Sequence, residues 1–239
     1  MPTKDSKVAI LFFSRSAEAE GMRKQFVNDT NRKKNVGVAR SLIGHTRKQL
    51  RQTNIPVYEI NETHQKGTSF GERFANAFAE VFEKGYRYVI AVGNDTPELT
   101  AKHLNEAQQL LTGGQAQIVL GPAQDGGTWL MGYHRQAFDH RSFQRLPWKS
   151  PRLLHVILKQ SRKEIAISQL ESFADIDNFK ILIHFVHQCN FSCSSLLLLA
   201  GLILNILFVG VEASAFPAFL NPTSPAYSFP SLRAPPLVV

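Results

Sequence analysis

The chain has 239 residues, of which 44% are hydrophobic and 19% charged, which excludes a wholly disordered protein and allows one ordinary domain with an appendage. Its formal net charge of +8 favours anionic partners such as nucleotides, diphosphates or an anionic membrane surface. Two cysteines exclude a disulfide framework and fit a reducing compartment.

Apolar and polar segments alternate along the first 133 residues. Short apolar runs predict strands over residues 8–13, 57–60, 88–92, 117–120 and 128–133. Helical spacing of apolar residues predicts helices over about 36–51, 71–84 and 97–112. This alternation indicates a three-layer α/β fold, in which a mainly parallel sheet carries helices on both faces.

Two loops follow predicted strands at the sheet edge where α/β proteins bind ligands. In the first, residues 93–97, Asp95 comes directly after a buried strand, and its carboxylate suits Mg²⁺ or Mn²⁺. An aspartate just before a helix is also a common cap. In the second, residues 121–127, Gly126 and Gly127 allow a close backbone approach to a ligand, and Asp125 offers an acceptor to a sugar hydroxyl. A plain hairpin turn is the alternative for this loop.

A third acidic position is formed by Asp175 and Asp177. Alternate residues of an extended segment point to the same side, so the two carboxylates could together hold a metal ion or an acceptor. A solvated strand end explains the pattern equally well.

Six motifs in a fixed order, spread over residues 7–177, resemble one protein family. They are Gln65-x-Gly67, Gly71-Glu-Arg73, Gly93-Asn-Asp95-x-Pro97-x-Leu99, Gly121-Pro-Ala-x-Asp125-Gly-Gly127 with Leu130-Met-Gly132, Leu146-Pro-Trp148 and Asp175-Ile-Asp177. The family is the GT-A-type transferase family often described as glycosyltransferases, with some members associated with radical-SAM gene clusters. It is more distantly similar to molybdenum-cofactor guanylyltransferases and sugar-phosphate nucleotidyltransferases.

The resemblance implies a nucleotide-diphospho-sugar transferase fold and a metal-dependent transferase that acts on a nucleotide-activated sugar. It implies that Asp95 and Asp125 are catalytic, that Asp95 and Asp177 bind Mg²⁺ or Mn²⁺, and that Arg73 makes a phosphate or structural contact. A nucleotidyltransferase that forms the activated sugar from a nucleoside triphosphate and a sugar phosphate is the alternative enzyme.

The first loop departs from the pattern of this family, which is Arg-x-Pro-x-x-Gly-x-x-Lys-Thr-Arg. Here Arg15, Gly21 and Lys24 align with one extra residue, and the proline and the Thr-Arg pair are replaced. In the family this loop is expected to hold donor phosphates, so Arg15, Gly21 and Lys24 are candidate donor-binding residues, together with Arg73, Gly126 and Gly127 from the other motifs. The changes also keep open a non-catalytic nucleotide-binding module.

The C-terminal quarter of the chain differs in character. Residues 191–211 contain no charged residue and are long enough for a membrane-spanning helix, and the remaining residues, 214–239, read as a disordered tail. This division gives a transferase domain over 1–180, an apolar segment over 181–213 and a tail. Three interpretations of the apolar segment remain open. It could anchor a cytoplasmic domain to the inner membrane, result from a fused reading frame, or form a buried core helix.

Two other functions are weaker readings of the sequence. The group His184, His187, Cys189 and Cys193 invites a zinc site, but its spacing matches no familiar zinc motif. A role in nucleic-acid binding would depend on net charge alone, and we expect none.

Overall fold

The computed structural model describes residues 8–27, 31–160, 165–188 and 194–208. The strands within these residues are β1 (Val8–Phe13), β2 (Val57–Ile60), β3 (Tyr88–Val92), β4 (Ile118–Pro122), β5 (Thr128–His134) and β6 (Ile167–Gln169). The helices are α1 (Ala17–Arg23), α2 (Arg32–Arg51), α3 (Phe70–Glu83), α4 (Ala101–Thr112), α5 (His140–Gln144), α6 (Leu153–Gln160), α7 (Phe179–Gln188) and α8 (Ser194–Phe208).

The strands form one sheet in the order β2-β1-β3-β5-β4-β6. Neighbouring strands are parallel except where β5 pairs with β3 and β4, so the predicted mainly parallel sheet is confirmed. β5 runs in the opposite direction because only five residues join it to β4, whereas a parallel neighbour needs a crossover of a dozen residues or more. The loop after β4 is therefore the turn of an antiparallel hairpin.

The central strands are buried on both faces. Every residue of β3 is buried, as are the first five residues of β1, which agrees with their continuous apolar sequence. One face packs on α3, where Phe74, Phe78 and Val81 form part of the core. The other face packs on α2 and α4 through Ile43, Leu104 and other apolar side chains.

Capping residues set the starts of two helices. Ser69 and Glu72 form a reciprocal capping box at α3, which satisfies backbone N–H groups that the first turn leaves unpaired. The predicted helix start at Pro97 is wrong, because Thr100 is the N-cap of α4. Before it, Leu99 N donates to Thr96 O at 3.2 Å in a turn that carries the chain away from β3.

α8 lies against α2 at the edge of the domain, where it buries Leu199, Ala200 and Ile203. Lys34 Nζ donates to Leu207 O at 2.9 Å, and this bond ties α2 to the last turn of α8. None of the described helices combines the length and apolar character needed to cross a bilayer. The membrane-spanning helix predicted over 191–211 is therefore unsupported, since its described part is a 15-residue helix that packs on the domain.

Several predictions fall outside the described residues. These are the disordered tail over 214–239 and the two cysteines of the zinc alternative. The histidines of that alternative, His184 and His187, are exposed on α7.

Candidate active site

A cleft of about 660 Å³ lies at the carboxyl ends of β1 and β3, beside the turn between β4 and β5. Its lining is rich in charge of both signs. The acidic residues are Glu20, Asp95, Asp125, Asp175 and Asp177, and the basic residues are Arg15, Arg23, Lys24 and Lys149. The position agrees with the rule that open α/β sheets bind ligands outside the carboxyl ends of their strands.

The two aspartates predicted as catalytic share this cleft. Asp95 stands three residues after the end of β3, and its backbone oxygen accepts a hydrogen bond from Ile176 N at 2.8 Å. This bond brings the segment that carries Asp175 and Asp177 to the same edge. Asp125 lies in the hairpin turn, where its Oδ1 accepts from Gly127 N at 2.8 Å.

Lys24 lies at the centre of the acidic group. Its Nζ is 2.7 Å from Asp95 Oδ2, 2.8 Å from Asp177 Oδ1 and 3.1 Å from Glu20 Oε1. Burial lowers the pKa of Lys24, but the charges of these carboxylates outweigh burial and raise the pKa above its ordinary value. The lysine is therefore charged throughout the physiological range.

Backbone pairing positions this lysine. Lys24 follows the last residue of α1 in an extended conformation, and the next residue, Gln25, pairs with Asn178 as in a parallel ladder. Phe179 N donates to Gln25 O at 2.9 Å. These contacts fix the segment after α1, which carries Lys24, to the segment before α7, which carries Asp177.

Asp175 has the most perturbed acidity in the cleft. Burial, the largest cause, and the charges of Asp95, Asp125 and Asp177 together raise its pKa to about 7, against the opposing effect of a hydrogen bond from Thr96 Oγ1. Ionisation of Asp175 is thus opposed by its burial and by the three neighbouring carboxylates. A positive charge placed beside it would favour the ionised form.

Three of the predicted ligand-binding residues do not line the cleft. A side chain at Gly21 would meet Val36 N at 2.6 Å, so this glycine allows α1 to approach α2. Arg73 Nη1 donates to Thr68 O at 3.0 Å and braces the start of α3. Gly126 has φ +88°, and a side chain there would lie 2.0 Å from Pro151 O. Gly127, by contrast, does line the cleft.

Sequence reasoning missed several polar groups of the site. Glu20 is buried and precedes Lys24 by four residues, a helical spacing that could have indicated an ion pair. Thr96 donates a hydrogen bond to Asp175 Oδ1, and no local sequence signal distinguishes it from other loop threonines. Ser14 and Asn94 follow neighbouring strands at equivalent positions, and within the described residues Ser14 Oγ and Asn94 Nδ2 are buried without a hydrogen-bond partner.

The carboxylates suit a hard cation in their chemistry, because Asp95 Oδ2 and Asp177 Oδ1 converge within 2.8 Å of one positively charged atom. That atom is Lys24 Nζ. Over the described ranges, no group of three or more His, Cys, Asp or Glu side chains has the geometry of a metal site. The donor set fits the predicted ion, but the lysine stands between the two oxygens.

His45 anchors the loop that carries Asp95 and provides a pH test. Its Nε2–H donates to Pro97 O at 2.9 Å, and its side chain is buried. Burial lowers the pKa of His45 below its ordinary value of 6.5. The unfolded state therefore binds more protons as the pH falls through 6.5, so protonation of His45 lowers the free energy of unfolding in acid.

We expect the free energy of unfolding of the wild-type protein to fall relative to that of His45→Gln between pH 7.5 and pH 5.5, because the variant lacks the buried imidazole. Protonation of Asp175 acts in the opposite direction in both proteins and cancels in this comparison. Urea unfolding at the two pH values measures the difference. The matched control is His155→Gln, because His155 is exposed on α6 and should leave the pH slope of the wild-type protein unchanged. Equal slopes for His45→Gln and the wild type would contradict the assignment.

Comparisons with known proteins agree with this architecture. The profile of DUF2064, a family described as uncharacterized protein conserved in bacteria, matches residues 28–150. Among curated proteins, none matches the chain significantly. A crystal structure from Desulfovibrio desulfuricans, provisionally named a nucleotide-diphospho-sugar transferase, is similar with a TM-score of 0.70 and 22% identity, over 84% of this chain and 98% of that chain. The fold is thus the nucleotide-diphospho-sugar transferase fold.

Two further solved structures are more distant. A cytidylyltransferase from Leptospira borgpetersenii has a TM-score of 0.39 and 13% identity, over 84% of this chain and 93% of its own. A Mycobacterium tuberculosis protein in complex with manganese has a TM-score of 0.41 and 12% identity, over 76% of this chain and 98% of its own.

Proposed function

The chain belongs to the DUF2064 family of bacterial proteins, and from this membership, its fold and its cleft we propose that it is a metal-dependent transferase acting on a nucleotide-activated sugar. The observation that carries the proposal is the meeting of Asp95, Asp125 and Asp177 with Lys24 in one cleft at the carboxyl edge of the sheet. Carboxylates and a buried lysine at this edge suit a metal-bound diphosphate.

The donor diphosphate would lie between the first loop and the acidic group. Arg15 and Lys24 line this side and would bind phosphate oxygens as charge-assisted donors. Asp95 and Asp177 would hold Mg²⁺ or Mn²⁺, which supplies neutralisation of the diphosphate as negative charge develops on the leaving group.

The hairpin turn would bind the sugar side of the donor or the acceptor. Asp125 is exposed at the cleft and would accept a hydrogen bond from a hydroxyl group. Gly127 adds a stretch of backbone without a side chain. Trp129 and Trp148 form apolar walls of the same cleft, which suits the faces of a sugar or a base.

Isothermal titration of the full chain with UDP-, GDP- and ADP-sugars, with and without Mn²⁺, tests the proposal. We expect one donor to bind in the presence of Mn²⁺ and to bind at least about tenfold more weakly without it, because the diphosphate then lacks the divalent cation that offsets its charge. The full chain is used because α7 and α8 pack on the domain. The absence of binding by every donor would contradict the proposal.

Turnover assays separate this function from its rivals. Transfer of the sugar to an acceptor, or slow release of the nucleoside diphosphate, supports the transferase. Pyrophosphate release from a nucleoside triphosphate and a sugar phosphate, without turnover of any activated sugar, would instead indicate a nucleotidyltransferase. Donor binding without any turnover would indicate a non-catalytic module.

A further inference from the structure

The ammonium group of Lys24 fills the position that the proposed metal ion needs. In addition to its three carboxylate contacts, Lys24 Nζ donates to Ile176 O at 3.3 Å, so four oxygens surround a group with three hydrogens. The side chain is only 11% exposed. The ammonium group of Lys24 is therefore coordinated by oxygens as a bound metal ion would be, and we call it a tethered cation because the side chain joins it to the protein.

Lys24 and a divalent cation cannot occupy this position together. Mg²⁺ requires oxygens at about 2.0–2.1 Å, and it would use the same two oxygens, Asp95 Oδ2 and Asp177 Oδ1, that now contact Nζ. An ammonium group left in place would lie within a few ångströms of the ion and repel it. The lysine must leave before the ion can bind.

The charge of the group favours this exchange. Lys24 contributes one positive charge against three carboxylates, those of Glu20, Asp95 and Asp177, and Arg15 Nε is 3.8 Å from Glu20. Two positive charges against three negative charges leave an excess of one negative charge. Replacing the ammonium by a divalent ion removes that excess.

We propose that Lys24 closes the metal position in the free protein and moves to the donor phosphates when metal and nucleotide arrive together. The displaced ammonium then keeps only Glu20 of its three carboxylate partners, and the diphosphate supplies new anionic oxygens to a flexible four-carbon side chain. Metal alone binds weakly, because its binding takes two of the three carboxylates that Lys24 contacts. Metal and nucleoside diphosphate consequently bind with positive cooperativity. This inference uses the metal ligands named in the proposed function.

Mn²⁺ binding in the absence of nucleotide, followed by electron paramagnetic resonance of the free ion, is the direct test. We expect Lys24→Met to bind Mn²⁺ at least tenfold more tightly than the wild-type protein. Lys33→Met is the matched control, since it is the same change at an exposed lysine of α2 that does not line the cleft, and we expect the wild-type affinity. In Lys24→Met, the further change Asp95→Asn should remove the gain. An unchanged or weaker affinity in Lys24→Met would overturn the proposal.

A second variant and a wild-type measurement keep the test decisive if Lys24→Met folds poorly. Lys24→Gln keeps a hydrogen-bond donor near the carboxylates and should show the same direction of change. In the wild-type protein, UDP should tighten Mn²⁺ binding at least tenfold, and this gain should shrink in Lys24→Gln. An equal gain from UDP in both proteins would contradict the exchange.

The outcomes for the two proposals differ. Suppose that Lys24→Met binds Mn²⁺ tightly without nucleotide and that no activated sugar binds to the protein. This result would support the proposal that Lys24 closes the metal position and would contradict the proposed transferase function. Conversely, the protein could turn over a donor while Lys24→Met binds Mn²⁺ with the wild-type affinity. This result would support the proposed transferase function and would contradict the exchange of Lys24 for the metal ion.

Discussion

Replacement of Asp95 by asparagine is expected to lower sugar-transfer turnover by about 100-fold or more, the scale of losing one preorganised electrostatic group at a reacting centre. Asparagine keeps the size of the side chain and removes its charge. Asp95 contacts Lys24 at 2.7 Å in the free protein and is the proposed metal ligand nearest the strand end, so the variant loses a metal ligand on which turnover would depend. Leaving-group charge would then be poorly neutralised.

Steady-state kinetics with the donor identified by titration measures this effect. The control is Glu106→Gln, an equally charge-neutralising change at an exposed position of α4, which should retain the wild-type rate. Thermal unfolding of both variants checks that the fold is kept. If turnover by Asp95→Asn stays within threefold of the wild type, Asp95 has no role in the reaction.

The buried strands were predictable because the side chains on both of their faces are apolar. β1 and β3 have the predicted bounds, since continuous apolar runs are tolerated only where helices cover both sides of a sheet. The edge strand β2, which includes an exposed glutamate, also has the predicted bounds. The short elements α1, α5 and β6 were not predicted. They have seven, five and three residues, too few for a periodic pattern, and tertiary contacts rather than local sequence define them.

The shared cleft followed from topology, whereas the roles of individual motif residues did not. Asp95 and Asp125 were expected at one sheet edge because the ends of neighbouring strands meet there. Gly21 and Gly126, however, serve close backbone packing against Val36 and Pro151. A glycine that permits contact with a ligand and one that permits contact with protein look the same in a sequence.

Hydropathy alone could not separate a membrane helix from a docked one. The apolar run over 191–211 reaches the length of a span, but within the described residues α8 packs on α2 through one face. The contact surface on α2 includes Gly37, whose missing side chain leaves room for Ile206. This contact surface belongs to α2, which is distant in the sequence from α8. The apolar run by itself therefore gives no sign of the helix on which it packs.

Phe78→Ala is expected to lower the free energy of unfolding by about 3–5 kcal/mol, the usual cost of removing a fully buried phenylalanine. Phe78 is completely inaccessible to solvent, on the sheet-facing side of α3. Its ring lies 5.1 Å from Phe143, 5.3 Å from Phe138 and 5.7 Å from Tyr133. Truncation would remove these contacts and leave a cavity between α3, β5 and α5.

The neighbours of Phe78 cannot close that cavity easily. Phe143 packs on Phe138 and also on Trp148 at 4.9 Å, so any movement toward the gap breaks other ring contacts. Trp148 lines the cleft, so disturbance of this aromatic cluster should reach the candidate active site. Urea unfolding measures the loss, with Phe208→Ala as control because Phe208 is 62% exposed. Equal stability losses in the two variants would show that this aromatic cluster does not hold α3 and α5 on the sheet.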